Sequence, residues 1–332
     1  METRRVQITG GASFMITLPK DWAESSGLKK NEKVGVEIQP DGNLLLVPNR
    51  AQQSVKHIVK VIDVSGNIKN DFLYRKLIGA YISGHNLIEV RSGTSISNEV
   101  SRITFSFTQA SIGLEVIEED NSHILIKDLM DHTEILPSKN VERIGVIVQK
   151  MVTDVFESAS VGNISMLKGM DARDQEVDRI HWLVSRQSNI YQKNPLMCSK
   201  VGIELHKLTR HLMVSRIVER IGDHVVLVSN DLIALSTNNN SETIDKGLHE
   251  IGHDIVDLLN RSMKGWLSQD LDVAEKCIEK GETLVRKIEK AFEGNNTDLK
   301  VESAKNLIAG SSKRIAEYCI DISELTINAA MD

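Results

Sequence analysis

Four carboxylates stand in two i, i+4 pairs: Asp174 and Asp178 in Asp174-Gln175-Glu176-Val177-Asp178-Arg179, and Glu219 and Asp223 in Glu219-Arg220-Ile221-Gly222-Asp223-His224. Residues four apart share one helix face, so each pair predicts two carboxylates on one stripe. If the two helices are antiparallel neighbours, all four converge. Such a cluster repels itself unless a hard cation sits in it, and Mg2+ or iron suits oxygen ligands. Asp174, Asp178, Glu219 and Asp223 are therefore the candidate metal site. A single Glu-x-x-x-Asp is more often a solvated acidic face. Here a repeat argues against that: residues 216–230 recur in degenerate form as 314–328, with Arg, Ile, Glu, Asp, Leu and Asn in register. The second copy offers a weaker site from Glu282, Glu317 and Asp321. In it Glu282-Thr283-Leu284-Val285-Arg286-Lys287-Ile288 aligns with 174–180, so Arg286 stands where Asp178 does. Arg286 is expected to pair with Glu317 or Asp321 and replace the ion.

A rival pattern is His249-Glu250-Ile251-Gly252-His253, which has the spacing of a zinc hydrolase helix, with Glu275 downstream as a third ligand. The matching segment of the first copy reads Glu142-Arg143-Ile144-Gly145-Val146 around the same Ile-Gly. That favours a bundle helix whose faces happen to carry His. Elsewhere there is no phosphate-cradling Gly-rich loop, no Gly-x-Ser-x-Gly and no Cys/His nucleophile pair, and no catalytic residues are assigned. Cys198, Cys277 and Cys319 lack ligand spacing and read as buried free thiols.

The elements that would position these residues fall into three regions. Residues 1–49 read as a small β-rich unit: strands over 4–9 and 14–18 around Gly10-Gly11, a short helix over 20–26 opened by Pro19 and closed by Gly27, and a hairpin of 34–39 and 44–47 around Pro40-Asp41-Gly42-Asn43. A polar linker, 50–54, follows. Residues 55–130 read as βαβαββ, a two-layer α+β domain to which no chemistry is assigned; its segment 95–107 reads as helix, although Ile103-Thr104-Phe105 also suits a strand. From about 140 the period is helical. Six helices are expected at 140–162, 164–192, 196–236, 242–268, 270–293 and 299–330. They are separated by breakers that include Asn238-Asn239-Asn240 and Gly294-Asn295-Asn296, with Ser241-Glu242-Thr243 as an N-cap. They group as three-helix units at 138–237 and 241–332. Trp182 and Trp266 are expected to pack between helices.

With 332 residues the chain has length for real cores, and its net charge of −6 argues against coating nucleic acid along its whole length while leaving room for a small basic module. No apolar run approaches the roughly 20 residues of a membrane span. Met1-Glu2-Thr3-Arg4-Arg5 lacks the apolar stretch of a secretory leader. No membrane insertion and a cytoplasmic location are expected.

The helical half resembles the PhoU family, on Glu219-Arg220-Ile221-Gly222-Asp223-His224 and Asp174-Gln175-Glu176-Val177-Asp178-Arg179. The resemblance implies tandem three-helix bundles with surface motifs that bind divalent or trivalent metal ions. It also implies negative regulation of phosphate uptake through a transporter and its signalling partners. The first 49 residues resemble a SpoVT-AbrB domain, on Arg4-Arg5-Val6-Gln7-Ile8-Thr9-Gly10-Gly11, Ile16-Thr17-Leu18-Pro19-Lys20-Asp21-Trp22, Gly27-Leu28-Lys29-Lys30-Asn31-Glu32-Lys33-Val34 and Asp41-Gly42. That resemblance implies a swapped-hairpin homodimer whose basic residues touch DNA. Arg4, Arg5, Lys20, Lys29, Lys30 and Lys33 are the candidate phosphate contacts, opposed by Glu2, Asp21, Glu24, Glu32 and Glu37. The combined expectation is a multidomain, dimeric, phosphate-responsive transcriptional regulator with a metal-binding helical sensor. The alternative is an adaptor without a DNA role that acts on a phosphate transporter ATPase or a signalling kinase, in which the N-terminal unit only dimerises.

Overall fold

The computed structural model describes residues 2–11, 13–38, 42–48, 58–66, 68–237, 246–291 and 299–331. The predicted linker 50–54, most of the Pro40-Asp41 turn, Asn238-Asn239-Asn240, the cap at Ser241-Glu242-Thr243 and the breaker at Gly294-Asn295-Asn296 lie outside these residues. The chain divides into two compact units, 1–57 and 58–332.

The first unit is small and strand-rich. Gly10 and Gly11 take φ of 65° and 80°, the left-handed turn conformation that glycine adopts without Cβ strain. They join β1 (Gln7–Thr9) to β2 (Ser13–Met15), with Ile8 opposite Phe14. The ladder is shorter than the predicted strands. α1 (Lys20–Ser25) starts after Pro19, and β3 (Val34–Ile38) pairs antiparallel with β4 (Leu44–Pro48). Val47 is the one buried apolar side chain among this unit's described residues, while Ile8, Phe14 and Ile38 are 68%, 78% and 77% exposed.

The second unit opens with the predicted βαβαββ order: β5 (Val59–Asp63), α2 (Asn70–Ile82), β6 (Leu87–Arg91), α3 (Asn98–Ala110), β7 (Leu114–Glu119) and β8 (His123–Asp128). Its sheet runs β5-β6-β8-β7, with β5 and β6 parallel and the other pairs antiparallel. Ile88, Val90, Ile124 and Ile126 point to one face and pack with Leu73, Leu77, Tyr81, Ile103 and Phe107. The ambiguous 103–105 stretch is helical. Ser97 caps its start by accepting from Val100 N, and the buried Thr104 hydroxyl donates to Val100 O at 2.8 Å, a back-bond that leaves the buried hydroxyl satisfied inside the helix.

The rest is helical: α4 (Pro137–Val161), α5 (Met170–Lys193), α6 (Pro195–Val201), α7 (Leu205–Thr237), α8 (Lys246–Ser268), α9 (Leu271–Ala291) and α10 (Leu299–Ala330). Two predicted helices are interrupted. A 3-10 turn (Ile164–Leu167) and Gly169 at φ 81° delay α5 to residue 170. Gly202 at φ 69° caps α6 and separates it from α7. One hydrophobic core, including Val148, Val177, Ile221, Ile255, Cys277 and Ile315, runs through both repeats. All three cysteines are buried and free.

The repeats meet through paired glycines. A Cβ on Gly145 of α4 would stand 2.5 Å from Met263 Cε of α8, and a Cβ on Gly252 of α8 would stand 2.6 Å from Phe156 Cβ of α4. Gly145 and Gly252 are repeat-equivalent, as are Phe156 and Met263, so α4 and α8 pack antiparallel about a local pseudo-twofold.

α5 also carries the α+β layer. Arg186, fully buried, donates through Nη1 to Tyr81 O, through Nη2 to His85 O at 2.8 Å, and through Nε and Nη2 to Asp128 Oδ2 at 3.1 and 2.5 Å. Lys193 Nζ reaches Ser83 O and Arg179 Nε reaches Ala110 O. Trp182 of α5 packs against the α+β core, whose helix α2 meets α5, and Trp266 is buried in the helical core.

Candidate metal centre

Asp174 and Asp178 lie one turn apart on α5, and Glu219 and Asp223 one turn apart on α7. The structure brings the two pairs together. Asp174 feels the charges of Asp178 and Asp223, and Glu219 feels those of Asp223 and Asp178. Burial, reinforced by this repulsion, lifts Asp174 to about 7, Asp178 to about 6 and Glu219 to about 7. Arg216 moderates the last two; it holds Glu219 Oε1 at 2.7 Å. Arg220 lies 3.6 Å from Asp223 and 3.9 Å from Glu219.

Two carboxylate oxygens lack a hydrogen bond. Asp174 Oδ1 and Glu219 Oε2 are buried without a hydrogen-bond partner, and Glu219 as a residue is only 7% exposed. Asp174 Oδ1 fits against Gly222 of α7, 3.0 Å from where a Cβ would stand. Any side chain at 222 would crowd the oxygen that a cation would use. Among the described residues no three His, Cys, Asp or Glu side chains form a ready-made metal cage. The four acids are gathered within electrostatic reach but not closed onto one point. Their chemistry fits a hard cation: oxygen donors only, two of them without a hydrogen bond, and a collective charge that burial penalises.

Spacing could not reveal Gly222's service to Asp174, nor the arrival of Tyr74 from α2, whose phenol is raised by burial and by Asp178. The Ile-Gly before Asp223 was the one visible signal.

The second copy differs. Arg286 donates to Thr283 Oγ1 at 3.4 Å and makes no ion pair with Glu317 or Asp321 among the described residues. The expected replacement is therefore corrected. Glu317 is held from its own helix by Arg314 at 2.9 Å and Lys313 at 3.9 Å, a shorter reach than across from α9. Glu282 is exposed, while burial and the nearby Glu324 and Glu317 raise Asp321. Ile320 takes the place of Gly222, and Gly281 of α9 makes room for it: a Cβ there would lie 2.5 Å from Ile320 Cγ1. The space that receives a carboxylate in the first copy is filled by hydrocarbon in the second.

His249 and His253 lie exposed on α8, Glu250 is 3.5 Å from Lys287 Nζ, and Glu275 is exposed on α9. Gly252 between the histidines serves packing on Phe156. In the first unit Arg4, Arg5, Lys20, Lys29, Lys30 and Lys33 are all exposed; Arg4 pairs with Glu2, and Lys20 lies 3.7 Å from Glu24. No helix among the described residues is long and apolar enough to cross a membrane.

Comparison with known proteins identifies two regions. Residues 141–232 match the family model for the PhoU domain, and residues 7–53 match that for antidote-toxin recognition MazE, bacterial antitoxin. The PhoU match spans α4 to α7 and stops before α8. No curated protein matches the chain. Two solved structures are similar to it: the phosphate transport system regulatory protein PhoU from Streptococcus pneumoniae (14% identity, 57% of this chain and 91% of that one, TM-score 0.48) and PhoU from Pseudomonas aeruginosa (16% identity, 57% and 93%, TM-score 0.47).

Proposed function

We propose that this chain is a phosphate-responsive regulator whose helical region takes up a divalent or trivalent cation, Mg2+ or iron, between α5 and α7, and whose N-terminal unit pairs with a second copy to hold DNA. The PhoU-domain match over 141–232 supports the phosphate reading. The observation that carries the cation reading is the pair of buried oxygens without a hydrogen bond, Asp174 Oδ1 and Glu219 Oε2, inside one acidic cluster. Asp174, Asp178, Glu219 and Asp223 would hold the ion. Bound there, it would neutralise the cluster and tie α5 to α7. Two global states with different ion affinity are needed for regulation, and α5, shared with the α+β layer, is the element through which the ion's presence would be felt.

Calorimetric titration of the full chain with Mg2+ and with Fe3+ tests this. Wild type is expected to bind, and Asp178→Ala/Asp223→Ala to lose about tenfold or more in affinity. Absence of binding to wild type by either ion would end the cation reading. A second reading, an adaptor that docks on a transporter ATPase or a kinase without touching DNA, is favoured by the pairing of Arg4 and Lys20 with Glu2 and Glu24.

A further inference from the structure

A separate cavity of about 290 Å3 opens where α7, α8 and α10 meet, walled by Lys207, Arg210, His211, Trp266, Leu267 and Ala329. Its size is at the lower end for small-molecule pockets, which combine an apolar wall with a few convergent polar groups. Spacing of i, i+3 and i+4 puts the three basic side chains on one face of α7. Arg210 Nη1 donates to Ala329 O at 3.2 Å, which fixes the guanidinium at the wall. His211 Nδ1 lies 2.7 Å from Lys207 O. A carbonyl only accepts, so Nδ1 carries the proton; burial lowers the pKa of this ring and keeps it neutral, so Nε2 is an acceptor and His211 serves the cavity as an aromatic wall. The imidazole meets Trp266 edge to face at 5.8 Å. Lys207 Nζ is held at 2.8 Å by Glu204, an exposed pair of the kind that binds weakly and yields to a stronger partner.

The repeat supplies an internal control. Lys207, Arg210 and His211 correspond to Lys305, Ile308 and Ala309 on α10, and Trp266 corresponds to Ala159 on α4. Where the bundle needs only packing, those places hold a buried Ile308 and Ala159. Arg210, His211 and Trp266 are therefore not demanded by the helix packing, whereas Lys207 keeps a counterpart in Lys305.

We propose that this cavity binds a small oxyanion with an apolar body, its phosphate or carboxylate head on Lys207 and Arg210 and its body on His211, Trp266 and Leu267. The site is distinct from the acidic cluster and does not depend on the cation reading.

The test is calorimetric titration of the full chain with phenyl phosphate, benzoate and inorganic phosphate. Phenyl phosphate or benzoate is expected to bind, with inorganic phosphate about tenfold weaker or more; which of the two organic anions binds tighter names the head group. The exposed change Lys207→Glu is expected to weaken binding about tenfold, while Lys305→Glu at the equivalent place leaves it unchanged. Melting curves confirm that both variants fold. No binding of either organic anion at about 10 mM overturns the proposal. Equal weakening by the two variants overturns it as a general charge effect, and equal affinity for inorganic phosphate overturns the apolar half of the site.

Discussion

Asp174, Asp178 and Glu219 set a pH dependence whose sign follows from their raised pKa values. An unfolded carboxylate loses its proton near 4, whereas these three hold theirs to about 7, 6 and 7. Between those limits the folded chain binds more protons than the unfolded one, so stability falls as pH rises. Their contribution is full below about pH 4 and is lost as pH passes through 6 to 7. If the proposed cation binds there, it would reverse the loss by replacing the protons. The melting temperature in metal-free buffer is therefore expected to fall by a few degrees between about pH 5 and 8. Mg2+ should raise it more at pH 8 than at pH 5, and Asp174→Asn should shrink both effects; an Asp174→Asn curve parallel to wild type would show that other groups set the slope. The four acids were legible in the sequence because i, i+4 spacing on a helix leaves little freedom. Gly222 was not legible as the floor beneath Asp174, because that contact depends on how closely α5 approaches α7, which periodicity does not report.

Helix approach also decides what the paired glycines do. Gly145 and Gly252 occupy equivalent places, yet their neighbours differ in stiffness. The atom facing Gly145 is the terminal methyl of Met263, which can swing aside; those facing Gly252 are Cβ, Cγ and Cδ1 of Phe156, within 2.7 Å of the added carbon, and Cβ moves only with the backbone. Replacing a helical glycine with alanine gains about 1 kcal/mol in propensity, while overpacking a tight contact costs roughly 1–3 kcal/mol. Gly145→Ala is expected to be near neutral and Gly252→Ala to destabilise by about 1–2 kcal/mol, measured by chemical denaturation; equal effects would mean that the α4–α8 spacing adjusts freely. The elements themselves were mostly readable. All six strands and helices of the βαβαββ layer follow alternation and turn chemistry, and the long helices follow their apolar period. The breaks at Gly169 and Gly202 escaped because Leu167, Val201 and Ile203 continue an apolar pattern through them. Arg186 escaped for a different reason: its partners Tyr81, His85 and Asp128 lie 58 to 105 residues away, and a lone Arg on a charged helix looks like any solvated one.

At the scale of the whole chain, the first unit and the second obey different economies of burial. The α+β layer and the helices each enclose a core, whereas residues 1–57 bury only Val47 among those described and leave Val6, Ile8, Phe14, Ile38 and Leu44 more than half exposed. A unit of this size with its apolar side chains in water is expected to cover them with another copy of itself. That agrees with the dimer implied by the N-terminal resemblance and needs no contribution from the helical region. Phe14→Asp separates the possibilities. At 78% exposure Phe14 holds little of its own unit together, so a change there alters an isolated chain's stability by about 0.5 kcal/mol or less. If Phe14 instead meets a second copy, a buried unpaired carboxylate on each side of the interface disrupts pairing. Sedimentation is expected to show wild type as a dimer and Phe14→Asp as a monomer with an unchanged melting profile of the second unit. DNA held by both copies should then be lost together with the dimer, and wild-type affinity should fall steeply with salt because phosphate contacts release counterions. A wild-type dimer with no salt-sensitive DNA binding would leave the adaptor reading standing, and a wild-type monomer would remove the N-terminal half of both.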